Sequence, residues 1–277
     1  MTGFSGRMGV FVFVLGFCGA ALLSLGGRGY IPEVPALRSI PKPPAILRQK
    51  TNPPEAEGPA AAWSPVVAQV REKQKENPDV VGWLTIPDTA LDDVVLQRPG
   101  DNDYYLRRNF ERRYAHNGVF YADKNSHVGA TAVDMGKNTV IYGHSMSDSK
   151  NDVRFGPMRY YLEEDFARTH PYLYFSTYGE ELLWEVVAVF YTDISLPYNS
   201  NTLSEAEFAA MFAQASAKSL HRYAYQYRKE DKFLTLSTCV YSLPQVGAIA
   251  YPNDYRLGIM ARLVTAQEQR KATAQWA

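Results

Sequence analysis

The chain has 277 residues, 46% of them hydrophobic and 21% charged, and its 29 basic side chains balance 29 acidic ones. That is apolar matter enough for a sizeable core. Zero net charge excludes a nucleic-acid binder, which needs a basic surplus, and a disordered chain, which pairs low hydrophobicity with high net charge. The two cysteines, Cys18 and Cys239, lie far apart in unlike surroundings, which excludes a disulfide framework and a cysteine-based zinc site.

Met8 to Leu25 reads MGVFVFVLGFCGAALLSL, 18 residues without a charge, flanked by Arg7 and Arg28. The length suffices for a short transmembrane helix. No small-x-small cleavage site follows it, and Phe17 rather than a small residue precedes Cys18, so the expectation is an uncleaved anchor with Cys18 as a small apolar residue in lipid. Flanking charge does not set the orientation; the expected arrangement is an inside N-terminus and an external body. Between Tyr30 and Ala60 stand Pro32, Pro35, Pro41, Pro43, Pro44, Pro53, Pro54 and Pro59. Each removes a backbone donor and fixes φ, so this stretch reads as a semi-extended tether.

The pattern changes at Ala61. Ala62 to Glu76 has helical spacing, with Val66, Val67 and Val70 on one side, and Asn77-Pro78 ends it. Short apolar runs separated by turn residues follow: Val80 to Ile86, Leu91 to Leu96, Gly118 to Ala122, Thr139 to Tyr142, Tyr172 to Ser176, Leu182 to Tyr191, Phe233 to Cys239 and Tyr255 to Val264. These predict about eight strands. WEVVAVFYT, alternating and rich in β-branched and aromatic residues, is the clearest of them. Gly156 to Thr169 is expected to hold one or two short helices. Ser204 and Glu207 form a capping box ahead of Phe208, Met211, Phe212 and Ala215, predicting a helix over Ser204 to Leu220. The fold class is therefore mainly β, a barrel of antiparallel or mixed strands with peripheral helices. One of those helices is inserted before the strand that carries the cysteine. The expected segments are 1–28 anchor, 29–61 proline-rich tether, 62–266 folded body and 267–277 polar tail.

Cys239 closes the run FLTLSTC at the end of a predicted strand. Such a cysteine is either a buried apolar residue or a nucleophile, and a nucleophile needs a partner that stabilises thiolate. Among five histidines, His144 differs by following an apolar strand, in NTVIYGHSM, with Gly143 allowing a sharp turn as the strand ends. It is either a hydrogen-bonded turn histidine or an acid–base group. Arg256, in NDYRLGIMARLV, faces opposite to Tyr255, Leu257 and Ile259. It is either a solvated charge on an edge strand or a group that stabilises charge on a carbonyl oxygen.

Taken together, NTVIYGH, TLSTC and an arginine on the following strand resemble the sortases, cysteine transpeptidases of Gram-positive cell surfaces. DNDYYLRRNF, GVFYAD and VIYGHSM narrow the resemblance to class B, as does the helix before the TLSTC strand. It covers about Asn77 to Val264, with the motifs in family order, and implies a closed β-barrel and no cofactor or metal. It also implies that Cys239 attacks the carbonyl of a threonine in a C-terminal sorting motif of a secreted protein, leaving a thioacyl-enzyme. His144 would protonate the leaving amine and deprotonate the incoming one, and Arg256 would hold the substrate backbone and the oxyanion. Asn102, Leu106, Tyr142 and Ser237 would bind the substrate. The acceptor would be an amine of a peptidoglycan precursor or a pilin.

Two departures stand out. Cys239 and Arg256 are 17 positions apart, with VYSLPQVGAIAYPND forming an enlarged loop, and Val240 follows the cysteine where class B sequences often carry an acid. Asp101-Asn102-Asp103 lacks the glycine and closing glutamate of a calcium loop. An L,D-transpeptidase would need histidine and glycine shortly before the cysteine, where Leu236-Ser237-Thr238 stands. The remaining alternative is a tethered scaffold with an inactive sortase fold, from which reactivity of the Cys239 thiol distinguishes a live enzyme.

Overall fold

A computed structural model describes residues 64–243, 247–248 and 254–269. The expected anchor and tether, and most of the expected tail, lie outside the described residues. Among the described residues no helix is long and apolar enough to cross a membrane.

Helix α1, Pro65–Glu76, starts with Ser64 as its N-cap and Pro65 in its first turn, where the missing N–H costs nothing. Its Val70 packs with Val80, Val94 and Leu96 on the outside of the first hairpin. Strands β1 (Val80–Thr85) and β2 (Asp92–Leu96) pair antiparallel, and β3 (Phe120–Ala122) then lies parallel to β2. β4 (Asn138–Tyr142) is followed by a 3-10 helix, Gly156–Leu162, and by α2, Glu164–Thr169. β5 (Tyr172–Ser176) and β6 (Leu183–Asp193) lead to α3, Glu205–Ala217, whose capping box forms as expected. β7 is Phe233–Cys239. Two short strands absent from the sequence reading, β8 (Ser242–Leu243) and β9 (Gly247–Ala248), pair within the enlarged loop, and β10 is Tyr255–Leu263.

Eight strands close into a barrel in the order β1-β2-β3-β4-β7-β10-β6-β5, with β5 returning to β1. The sheet is mixed, because β2–β3 and β4–β7 are parallel. β10 is hydrogen-bonded on both sides, to β7 and β6, so the edge-strand reading of Arg256 is wrong. Alternation assigns the faces. Leu234, Leu236, Leu257 and Ile259 fill the barrel, whereas Phe233 and Met260 point outward under Phe208, Met211 and Phe212 of α3. β7 and β10 thus each serve two cores.

Candidate active site

The register of three strands assembles the site. In the parallel β4–β7 pair, Tyr142 stands opposite Ser237; in the antiparallel β7–β10 pair, Ser237 stands opposite Gly258 and Cys239 opposite Arg256. His144 lies two residues beyond Tyr142, as Cys239 lies two beyond Ser237. His144, Cys239 and Arg256 therefore form one row on the outer face, with adjacent strands about 4.8 Å apart. The row below it holds Tyr142 and Ser237. All five residues, with Asn102 and Leu106, line one cavity of about 470 Å³. Every site residue expected from the sequence is brought together there.

Two glycines make the arrangement possible. Gly143 does not occupy the left-handed region, so it is not there to turn the backbone. It is there for space: a Cβ at Gly143 would sit 2.7 Å from the Phe120 ring and 2.8 Å from the Phe155 ring. Gly118 has a φ of 50°, and a Cβ there would lie 2.6 Å from the carbonyl oxygens of Tyr105 and Leu106. It lets the segment that carries Asn102 and Leu106 close down beside His144.

The imidazole Nε2 of His144 is 2.8 Å from the Leu106 carbonyl oxygen. A carbonyl only accepts, so Nε2 donates, and the neutral ring offers Nδ1 as its base. Burial pulls the His144 pKa below the ordinary imidazole value, against the opposing effect of the Leu106 carbonyl. The ring is therefore neutral at pH 7 in the resting protein. Cys239 is a half-buried thiol that takes part in no disulfide. The Arg256 guanidinium donates to the Tyr255 carbonyl oxygen (2.9 Å). A thiol, an imidazole and a guanidinium on one wall are the kinds of group that can act as nucleophile, acid–base group and oxyanion donor in covalent acyl transfer.

Asp123, not anticipated from the sequence, ties Asn102 to Tyr142. It is 1% exposed and accepts from the Asn102 amide (2.9 Å) and the Tyr142 hydroxyl (2.9 Å). Burial and then the Asp123 charge push the Tyr142 pKa up, so the phenol stays protonated and donates. Ser237 shares a hydrogen bond of 2.8 Å with Tyr198, another residue not anticipated, from the segment before α3. Asp123 ends the quoted GVFYAD motif, so its position was available as a signal; Tyr198 stood in a loop without one. Val240 is 1% exposed and packs in the barrel interior, away from the row. Among the described residues no group of three or more His, Cys, Asp or Glu is placed to hold a metal ion.

Comparisons with known proteins identify the family and the fold. No family model matches the sequence. Sortase B of Listeria monocytogenes is 34% identical over 172 residues, covering 62% of this chain and 67% of that protein. Sortase B of Staphylococcus aureus is 27% identical over 173 residues, covering 62% and 67%. The solved sortase B of Bacillus anthracis, in complex with AAEK2, superposes with a TM-score of 0.59 at 30% identity, over 72% of this chain and 84% of that one. A substrate complex of the Staphylococcus aureus enzyme has a TM-score of 0.60 at 22% identity, over 73% and 87%, and shares the fold. The barrel is thus a sortase barrel. The chain belongs to the class B sortases and is a cysteine transpeptidase.

Proposed function

We propose that this transpeptidase cleaves a C-terminal sorting motif of secreted proteins after threonine and transfers the acyl group to an amine. Cys239 is the nucleophile and carries the thioacyl intermediate. His144 takes the thiol proton at Nδ1 as Cys239 attacks, gives it to the leaving amine, and later takes one from the incoming amine. Arg256 holds the substrate backbone and the developing oxyanion. Asn102, Leu106, Tyr142 and Ser237 form the motif-binding wall. The observation that carries this reading is the strand register that sets Arg256 opposite Cys239, with His144 two residues past the β4–β7 ladder on the same face.

The acceptor amine belongs to a peptidoglycan precursor or a pilin. The chain is held at the membrane by residues 1–28 as a single-pass anchor, with residues 29–61 as the tether. The catalytic domain, 62–266, and the short polar tail, 267–277, lie outside the cell. This reading rests on the uncharged run of Met8 to Leu25 and the prolines that follow. Incubating the full chain with a library of sorting pentapeptides and an amine tests the reaction. Mass spectrometry should find cleavage after threonine in one motif class, and transfer that Cys239→Ala abolishes.

A further inference from the structure

The β4–β7 ladder ends at Tyr142 and Ser237, two residues short of His144 and Cys239. Past that point no ladder holds the two segments level, yet acyl transfer is sensitive to ~1 Å displacements of the reacting groups. Other bonds take over. Thr238 Oγ1 donates to the Gly143 carbonyl (2.8 Å) and the Tyr241 hydroxyl to the Ser145 carbonyl (3.0 Å). The rest of the load falls on Arg159, from the 3-10 helix, which is 5% exposed. Its Nη1 donates to Ser145 Oγ (2.8 Å), and its Nη2 donates to Asp148 (2.7 Å) and to the backbone carbonyl of Cys239 (3.2 Å). Asp148 also accepts from the Tyr241 amide (3.1 Å) and the Ser242 hydroxyl (2.7 Å) at the start of the enlarged loop. One guanidinium therefore touches the residue after His144 and the carbonyl of Cys239 itself.

We propose that Arg159, paired with Asp148, is a positioning residue that keeps Cys239 level with His144 where the sheet no longer does. The proposal rests on the reading of His144 and Cys239 given above. A guanidinium so buried is rare unless its donors are used, and here they bridge the two chain segments that the chemistry must align. Lysine keeps the charge but not the fork, so it cannot hold Ser145, Asp148 and the Cys239 carbonyl together. Asp148 lies nearer the surface, so Asp148→Asn is the milder variant: it keeps the shape and loses the ion pair. Burial alone would raise the Asp148 carboxyl, but Ser242, Arg159 and the Tyr241 amide hold it below the ordinary carboxylate range.

The test uses the full chain carrying Cys18→Ala, so that one thiol remains. Arg159→Lys and Asp148→Asn should each lower kcat by about tenfold or more, with KM within about twofold. The decisive reading is a double-mutant cycle on iodoacetamide alkylation of Cys239 at pH 7. His144→Ala should slow alkylation in the parent. In the Arg159→Lys or Asp148→Asn background it should have less than half that effect, because His144 is already out of place. A full His144→Ala effect in both backgrounds, even with lowered kcat or melting temperature, overturns the positioning role. If His144→Ala leaves alkylation unchanged in the parent, the pairing of His144 with Cys239 itself fails, and this proposal falls with it.

Discussion

Two arginines on one strand should separate catalysis from stability. Arg256 and Arg262 both project from the outer face of β10, six residues apart, or about 20 Å along the strand. Arg256 stands opposite Cys239, whereas Arg262 stands opposite Phe233, beyond reach of the same carbonyl. Arg262 is instead held by Glu185 (2.6 Å) and Glu268 (2.9 Å), and its side chain is 13% exposed. Burial acts to raise the Glu268 carboxyl, but the Thr265 amide, Arg228 and Arg262 carry it down to about 2. If Arg256 stabilises the oxyanion, Arg256→Ala should lower kcat about 10²- to 10³-fold, or ~2.7–4 kcal/mol, with little change in melting temperature. Arg256→Lys should be badly impaired too, because an ammonium lacks the planar two-pronged donor. Arg262→Ala should do the reverse. It removes the cation that Glu185 meets and one of the two that Glu268 meets, the other being Arg228, a loss of roughly 2 kcal/mol, and should lower Tm by about 4–8 °C while retaining most of kcat. Steady-state transfer kinetics and thermal melts on the same preparations read both quantities. Near-normal transfer by Arg256→Ala, together with loss of transfer in Arg262→Ala, would refute the alignment across the enlarged loop.

Other substitutions probe the supports of the site. Gly143→Ala would press a methyl group into Phe120 and Phe155, costing about 1–3 kcal/mol in a denaturant melt, and should also lower kcat by shifting His144. Asp123→Ala removes the acceptor of Asn102 and Tyr142, orphaning donors at about 1–3 kcal/mol each. It should raise KM for the motif peptide more than it lowers kcat; the opposite split would place Asp123 in the chemistry instead. The depressed pKa of His144 gives a pH signature. As pH falls below about 6.5 the unfolded chain takes up that proton before the folded one, so stability is lost until the folded value is passed. Urea melts at pH 7.5 and 5.5 should show a larger loss for the parent than for His144→Gln, and equal losses would contradict the burial effect.

Much of the fold was legible because its strands are short apolar runs bounded by turn residues, several of them serving a core on each face. The eight barrel strands, the α3 capping box and the helical stretch before α2 appear where the pattern placed them. The row of His144, Cys239 and Arg256 was legible only through the family motifs, since each residue alone admitted a bland role. Three things were not legible. Alternation does not tell an edge strand from an internal one, so the position of Arg256 needed barrel closure. Gly143 carried no sign that it serves ring packing rather than a turn. Asp123, Arg159 and Asp148 act through contacts between distant segments, and Arg159 looked like any charged residue on a short helix.

The most direct test of the account is the covalent intermediate. Mixing the full chain with a cleavable motif peptide in the absence of an amine, then quenching in acid, should trap a thioester that intact-mass and peptide mapping place on Cys239. The mass increment should equal the motif fragment ending at threonine less one water, and the adduct should disappear on adding the amine. Cleavage of the peptide by Cys239→Ala, or a covalent adduct mapped to any other residue, would contradict the account.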